Sequence, residues 1–598
     1  MQSLPTPTSF FDQQMQAARQ AERAAQRQFN SLSLGRLGTF AAVPISISLW
    51  DRSDDAAWGV LTLLATVLYL VLMRRQQAAR RRREFARNLQ TINTDELERL
   101  NFQFRRKDTG EHFLDLGHPY AADLDLFGKH SLYRLLNRTR TDEGSRRLAR
   151  WLTRHAELDE IMMRQESVTE FQKQAEWRQA WEATALLHEH AAQQVGTLRA
   201  WAKETMEVPL RQSLRWRWWP VVTLLLGTLA LTSTLPAWPF WLSLVWQAVI
   251  LNRYNAGVQS LTSRTTDLGL TLLAYADLLQ LAHDAPFQTR WWQLRRSLIQ
   301  QAAPTLRTLG HWFARLDYRL HPFFLIFVGI PFLWDLHCLA ALEAWKERHQ
   351  AQLDQWLEVL ADTEAMNSLA GFAFAQPNYP LPQVTWEQDV RVEAEALAHP
   401  LIPASKRVSN DFNLHGTGTT VLITGSNMSG KSTFLRTLGI NLVLAQMGAV
   451  VCARRLACSP VQVFSSMRTQ DSLEESTSSF YAELKRLRQL IELSQSTSGS
   501  PIFYLLDEIL KGTNSADRHR GAEALIRQLH PKQAAGLVST HDLELGEWGA
   551  TQPYVHNYHF RSDVQDGALT FNYQLQEGIC QSFNASELMR MMGIELDP

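Results

Sequence analysis

Gly425-Ser426-Asn427-Met428-Ser429-Gly430-Lys431-Ser432 fits the pattern GxxxxGK[ST], and the chemistry of that spacing is phosphate binding. The glycines let the backbone wrap until its N–H groups point at phosphate oxygens, and a helix opening at the loop adds positive charge from its N-terminus. Lys431 is the residue expected to reach the β- and γ-phosphates, and the Ser432 hydroxyl, with Thr433 beside it, is expected to bind Mg²⁺. A second segment, Ile502-Phe-Tyr-Leu-Leu-Asp507-Glu508, ends an apolar run in two acids. Asp507 is suited to hold Mg²⁺, directly or through water, and Glu508 to polarise an attacking water. An acidic strand terminus is common in α/β proteins, but after a phosphate loop in the same domain the pair reads as chemistry. His541 follows a third apolar run, Gly536-Leu-Val-Ser-Thr540. A histidine there can sense a γ-phosphate or orient the water.

These residues need a scaffold that brings them to one edge. Beyond Val390, short apolar strands such as Thr420–Thr424 alternate with helical stretches such as Thr433–Gln446, the texture of an α/β domain with a largely parallel sheet. Ligands of open α/β sheets bind at the carboxyl ends of the strands, so Lys431, Asp507 and His541 are expected there together. From about Asp95 to Glu387 the pattern is helical, with apolar positions three and four apart in Leu132–Leu152 and Leu353–Ala370. Ser494–Ser500 is a low-complexity loop, and no internal repeat is present.

The apolar runs are of another kind. Residues 37–50 are uncharged, Asp51, Arg52, Asp54 and Asp55 follow, and residues 56–73 are again uncharged. Arg74 to Arg87 then carries seven arginines and one glutamate. A spanning helix needs about 20 apolar residues, with a lower limit near 17, so a hairpin with both outer ends in the cytoplasm is expected. The first arm is short and contains Pro44. Arg80–Arg83 reads as a topogenic, lipid-facing stretch, with DNA phosphate as the alternative. Residues 218–252 also lack Asp, Glu, Lys and Arg, with Pro236 and Pro239 near the middle. Two short tilted helices are expected, with a re-entrant loop as the alternative. The run Pro322–Trp334 is 13 residues long, which favours a buried core helix over a span.

In 598 residues Lys+Arg and Asp+Glu are both 60. Net neutrality argues against a DNA-coating protein and confines any nucleic-acid contact to a local patch. Cys338, Cys452, Cys458 and Cys580 match neither a zinc site nor a disulfide framework. Twenty tryptophans is a high number, and Trp216, Trp218, Trp219, Trp238, Trp241 and Trp246 flank an apolar run, as tryptophan does at a membrane–water interface. The first 30 residues have no apolar signal-peptide core.

Thr424-Gly-Ser-Asn-Met-Ser-Gly-Lys-Ser-Thr433 resembles the P-loop of the MutS mismatch-repair family, in which Asn-Met between the glycines is distinctive. Leu506-Asp-Glu-Ile-Leu-Lys-Gly-Thr-Asn-Ser515 resembles the family's Walker B segment, and Ser539-Thr-His-Asp542 its histidine switch. Ser478-Ser479-Phe480-Tyr-Ala-Glu483 is similar to its Ser-Thr-Phe loop. Residues 126–152 resemble the start of the MutS helical core, and His399-Pro-Leu-Ile402 with Asn410-Asp411 the approach to its ATPase domain. The resemblance implies a multidomain chain. Residues 1–111 would hold the first hairpin, residues 112–388 an all-α MutS-like core with an inserted hairpin at 218–252, and residues 389–598 an ABC-type P-loop ATPase. It also implies ATP and Mg²⁺ as cofactors, ATP hydrolysis, DNA as a partner, and a homodimer in which Ser478–Phe480 and Thr513–Asn514 complete the other subunit's site. Residues 1–111 leave no room for the family's mismatch-reading and connector domains, and they contain no Phe-x-Glu wedge. The expectation is a multi-pass protein of the cytoplasmic membrane, with core and ATPase in the cytoplasm. The alternative is a membrane ATPase that turns the same motor on a protein partner.

Overall fold

The computed structural model describes residues 6–53, 55–187, 195–204, 215–265, 268–387, 389–468, 479–495, 500–532, 534–565 and 568–580. The chain divides into two compact units, one of residues 1–97, 139–145 and 176–364, the other of residues 98–138, 146–175 and 365–598.

The first unit is helical. Its N-terminal hairpin pairs α1 (Pro7–Ser53) with α2 (Ala56–Leu100). Asp55 starts the second arm by accepting the Ala57 N–H at 2.9 Å. The apolar runs are therefore the distal parts of much longer helices, and α1 continues through Pro44. Both helices are long and apolar enough to cross a membrane. Polar side chains join them: Thr62 Oγ1 donates to Ser46 Oγ at 2.9 Å and Gln76 Nε2 to Ser33 Oγ at 2.6 Å. The 218–252 region forms α3 (Trp219–Leu231) and α4 (Trp238–Arg264). At 13 residues, α3 is about 20 Å long, short of a hydrocarbon core of about 30 Å.

Two expectations change here. Pro322–Trp334 is not a core helix. It forms a turn of α-helix and a π-helical turn, Leu325–Gly329, and Phe323, Ile326, Phe327 and Phe332 are exposed. Its length argued only against a span, and length alone does not distinguish burial in protein from exposure. The tryptophans are also divided. Trp181, Trp291 and Trp292 are fully buried in the helical unit, with Phe287 edge-on to Trp292 at 5.4 Å, so the high count reflects a core as well as flanks of apolar runs. Helices α5 (Leu268–His283) and α6 (Ala302–Leu316) precede α7 (Trp334–Ala375), on which Glu364 accepts from the Thr141 hydroxyl at 2.7 Å and the Thr141 N–H at 3.1 Å.

The second unit holds two sheets. One has the order β1 (Gln383–Val384), β5 (Arg455–Cys458), β2 (Arg391–Leu397), β3 (Asn410–His415). The other has the order β10 (Ala568–Glu577), β9 (Val555–Gln565), β4 (Thr420–Thr424), β8 (Ala534–Thr540), β7 (Ile502–Asp507), β6 (Gln462–Ser466). From β9 to β6 all neighbours are parallel, and β10 runs antiparallel at the edge. Strands β4, β7 and β8 are buried at every position, which explains their unbroken apolar texture. Helices α8 (Lys431–Gln446), α9 (Ser479–Ser494), α10 (Ser515–Leu529) and α11 (Leu543–Ala550) complete the domain.

Candidate functional site

Strand register determines what meets what. Thr424 pairs with Thr540 and Asp507 with Ser539, so β4, β8 and β7 end level. Strand β8 lies between the other two, which puts His541 between the loop leaving β4 and the acid leaving β7. Its Nε2 is 2.5 Å from Glu508 Oε1 and 3.4 Å from Lys431 Nζ. With the proton assigned to Nε2, the imidazole donates to Glu508.

The loop from Gly425 to Gly430 has left-handed backbone at Met428 (φ 65°) and Gly430 (φ 106°). A Cβ at Gly425 would lie 2.9 Å from both Phe560 O and Ser429 Oγ, so this turn has no room for a side chain there. Lys431 Nζ donates to Gly425 O and Ser426 O, each at 2.9 Å. Burial pulls the ammonium down to about 8. Asn427 and Met428 are exposed, Ser426 and Ser432 half-buried, and Thr433 exposed. Ser429 Oγ is buried and makes no hydrogen bond. An unpaired buried hydroxyl beside a buried ammonium is a poor arrangement for the free protein and a suitable one for anionic oxygens.

Glu508, at φ 51°, also pairs with Lys511 Nζ at 3.1 Å. The hydrogen bond from His541, followed by the charges of His541 and Lys511, outweighs burial and holds the carboxyl at about 2. Asp507 is buried and accepts from the Ser539 hydroxyl. Its oxygens and the Ser432 hydroxyl are hard donors of the kind Mg²⁺ takes.

A cavity of about 440 Å³ adjoins the loop. Residues Asn427 to Phe434 and Glu508 line it, as do His399, Lys406, Asn410 and Tyr573. His399 is largely buried, and burial lowers its pKa to about 4, so it faces the cavity neutral. The sequence assigns no role to Lys406 and Tyr573, which reach the site from distant segments, or to Lys511, which turns back onto Glu508 from three residues away. The φ of 54° at Tyr573, with its ring 3.0 Å from where a Gly430 Cβ would be, has no signature in a single sequence.

Ser478 and the Ser479 side chain lie outside the described residues. Phe480 packs on the loop after the acid pair, its Cβ 2.6 Å from where a Gly512 Cβ would be. On the same helix, Glu483 accepts the backbone N–H groups of Leu510 and Lys511, the latter at 3.2 Å.

A mixed sheet with a glycine-bounded loop, an acid pair and a histidine on one edge defines a mixed α/β domain equipped to hold an anionic ligand. The family description "MutS domain V" matches residues 421–594, so that region is similar to this domain of the MutS family. The chain is 29% identical over 248 residues to the DNA mismatch repair protein MutS of Natronomonas pharaonis, covering 41% of this chain and 28% of that protein. It is 32% identical over 240 residues to the protein of that name from Shouchella clausii, covering 39% and 27%. It is 33% identical over 190 residues to Endonuclease MutS2 of Thermus thermophilus, covering 32% and 24%. The chain thus spans less than a third of the length of these relatives.

Proposed function

We propose that this protein is a membrane-tethered, Mg²⁺-dependent ATPase of MutS type, in which ATP closes a homodimeric clamp on DNA and hydrolysis reopens it. The observation carrying this reading is the contiguous set Lys431, His541 and Glu508, of which Lys431 and Glu508 line the cavity. In this reading the loop N–H groups and Lys431 bind the phosphates, and Ser432 and Asp507 hold the metal, which offsets phosphate charge. Glu508 polarises the attacking water, and His541 aligns that carboxylate. The homodimer, the clamp and the role of Ser478–Phe480 in completing the partner's site rest on the family resemblance. The tether rests on α1 and α2, with residues 218–252 as a further membrane element.

Calorimetry of the detergent-solubilised protein with Mg-ATP tests the site. Wild type should bind, Lys431→Ala should lose binding, and Glu508→Gln should bind normally while hydrolysis falls by about 10²-fold or more. Equal turnover in Glu508→Gln would overturn the assignment. Anisotropy with duplex, mismatched and branched DNA tests the ligand, with salt-sensitive binding expected. The zero net charge favours a second reading, in which the motor acts on a protein partner. Absence of binding to all three DNAs would select it.

A further inference from the structure

The hairpin α3–α4 has its polarity reversed. The side chains it buries include Thr223 (3% exposed), Ser243 (5%) and Gln247 (0%). Its outward side chains are Val221, Leu224, Leu225, Trp241, Leu242 and Val245, and Leu231 near the tip is 86% exposed. Two of the buried groups bond each other: Thr223 and Ser243 hydroxyls are 2.6 Å apart, and Trp219 Nε1 donates to Ser243 Oγ at 3.1 Å. A helix pair built for water buries its apolar face instead. Polar and small residues between helices with apolar residues outside suit a hydrocarbon solvent.

The segment Pro322–Phe332 joins this structure. Gln247 Nε2 donates to Pro331 O at 3.2 Å, and Leu333 and Leu336 cluster with Ile250 and Tyr254. Phe327 is 69% exposed, and the segment meets α7 at 85°. Its irregular backbone is still satisfied: Leu325 N bonds His321 O at 3.0 Å, Ile330 N bonds Leu325 O at 2.8 Å, and Phe332 N bonds Val328 O at 3.1 Å. The tip hydroxyls also turn inward, with Thr234 Oγ1 donating to Leu229 O at 2.8 Å and Thr232 Oγ1 to Thr228 O at 3.1 Å. Non-aqueous surroundings favour such internal pairing of backbone and hydroxyl groups. The charges gather at the open end: Arg217 lies over the Trp218 ring at 5.2 Å, and Arg319 bonds Asn255 at 2.6 Å and pairs with Asp335 at 3.5 Å.

We propose that residues 218–252 and 322–332 form one re-entrant wedge, which enters the lipid from the side bearing Arg217 and Arg319 and returns to it without crossing. The arms are about 20 Å deep, against about 30 Å of hydrocarbon. The wedge rests on the reading that α1–α2 inserts, so the test reports the two separately. Reporter cysteines replace Leu64, Ser233 or Phe327 singly in the full chain, in liposomes. The native cysteines are all buried. Each reporter is labelled with an environment-sensitive dye and quenched by nitroxide lipids of known depth. An impermeant maleimide added to either side measures access. Lipid quenching is expected at all three sites, with no maleimide access to Ser233→Cys from the side opposite the N-terminus. Access from that side would make the arms spans and overturn the wedge. Aqueous labelling at Phe327→Cys, or protection there without lipid quenching (a second copy of the chain covering it), would also overturn it. If Leu64→Cys alone is quenched, the tether stands and the wedge falls. If none is quenched, the tether itself has failed.

Discussion

Lys431 stabilises an anion best while it carries its proton, and burial brings its free-protein pKa close to physiological pH, at about 8. Bound phosphate oxygens favour the ammonium and raise that value. Linkage then fixes the sign: affinity is level below about 8 and falls by up to about tenfold per pH unit above it, until the bound-state value is reached. Titration calorimetry from pH 6.5 to 9.5 measures this, and a flat profile would show that Lys431 does not contact the phosphates. The residues that carry the proposed chemistry were legible because each lies on a local pattern, a loop between strand and helix or an acid at a strand end. Tyr573, Lys406 and Lys511 were not. Tyr573 and Lys406 reach the cavity by long-range packing, and Lys511 pairs with Glu508 only because a left-handed turn intervenes.

At the level of elements, Glu364 is a buried carboxyl receiving the Thr141 N–H and hydroxyl, and Gly144 leaves room for it. A Cβ at Gly144 would lie 1.9 Å from Glu364 Oε2. Burial raises Glu364 to about 7, against these hydrogen bonds. The folded state therefore keeps a proton that the unfolded chain releases near its ordinary value. The resulting stability is fully present below about 4.5 and is lost as pH rises toward about 7, at up to about 1.4 kcal/mol per unit. Denaturation at pH 5, 6 and 7 should show that slope in wild type and lose it in Glu364→Gln. An unchanged slope would place its origin elsewhere. The helical texture around Glu364 was legible from its periodicity, but its capping partner 223 residues away was not. The same limit hid the exposure of Pro322–Trp334, because an apolar run looks alike whether the fold buries it or leaves it outside.

For the whole molecule, α1 and α2 present an outward apolar surface that includes Leu37, Phe40, Leu63, Leu64 and Leu68. If lipid covers it, the chain stays with membranes in alkaline carbonate. The double substitution Leu64→Arg, Leu68→Arg, at about 2.5–3.5 kcal/mol for each charge in mid-bilayer, should raise the share found in the supernatant above that of wild type. Retention of the double variant would mean that another element holds the chain. The linkage through Glu483 bears on what such a molecule does when another body presses on it. Helix α9 is bonded through that one carboxylate to the amides of Leu510 and Lys511, and Lys511 in turn holds Glu508. A neighbour that tilted α9 would pull on the Lys511 backbone, and through it on the ammonium paired with Glu508. Docking at that helix would thereby reach a half-buried carboxylate at the carboxyl edge of the sheet, with no contact between the visitor and Glu508.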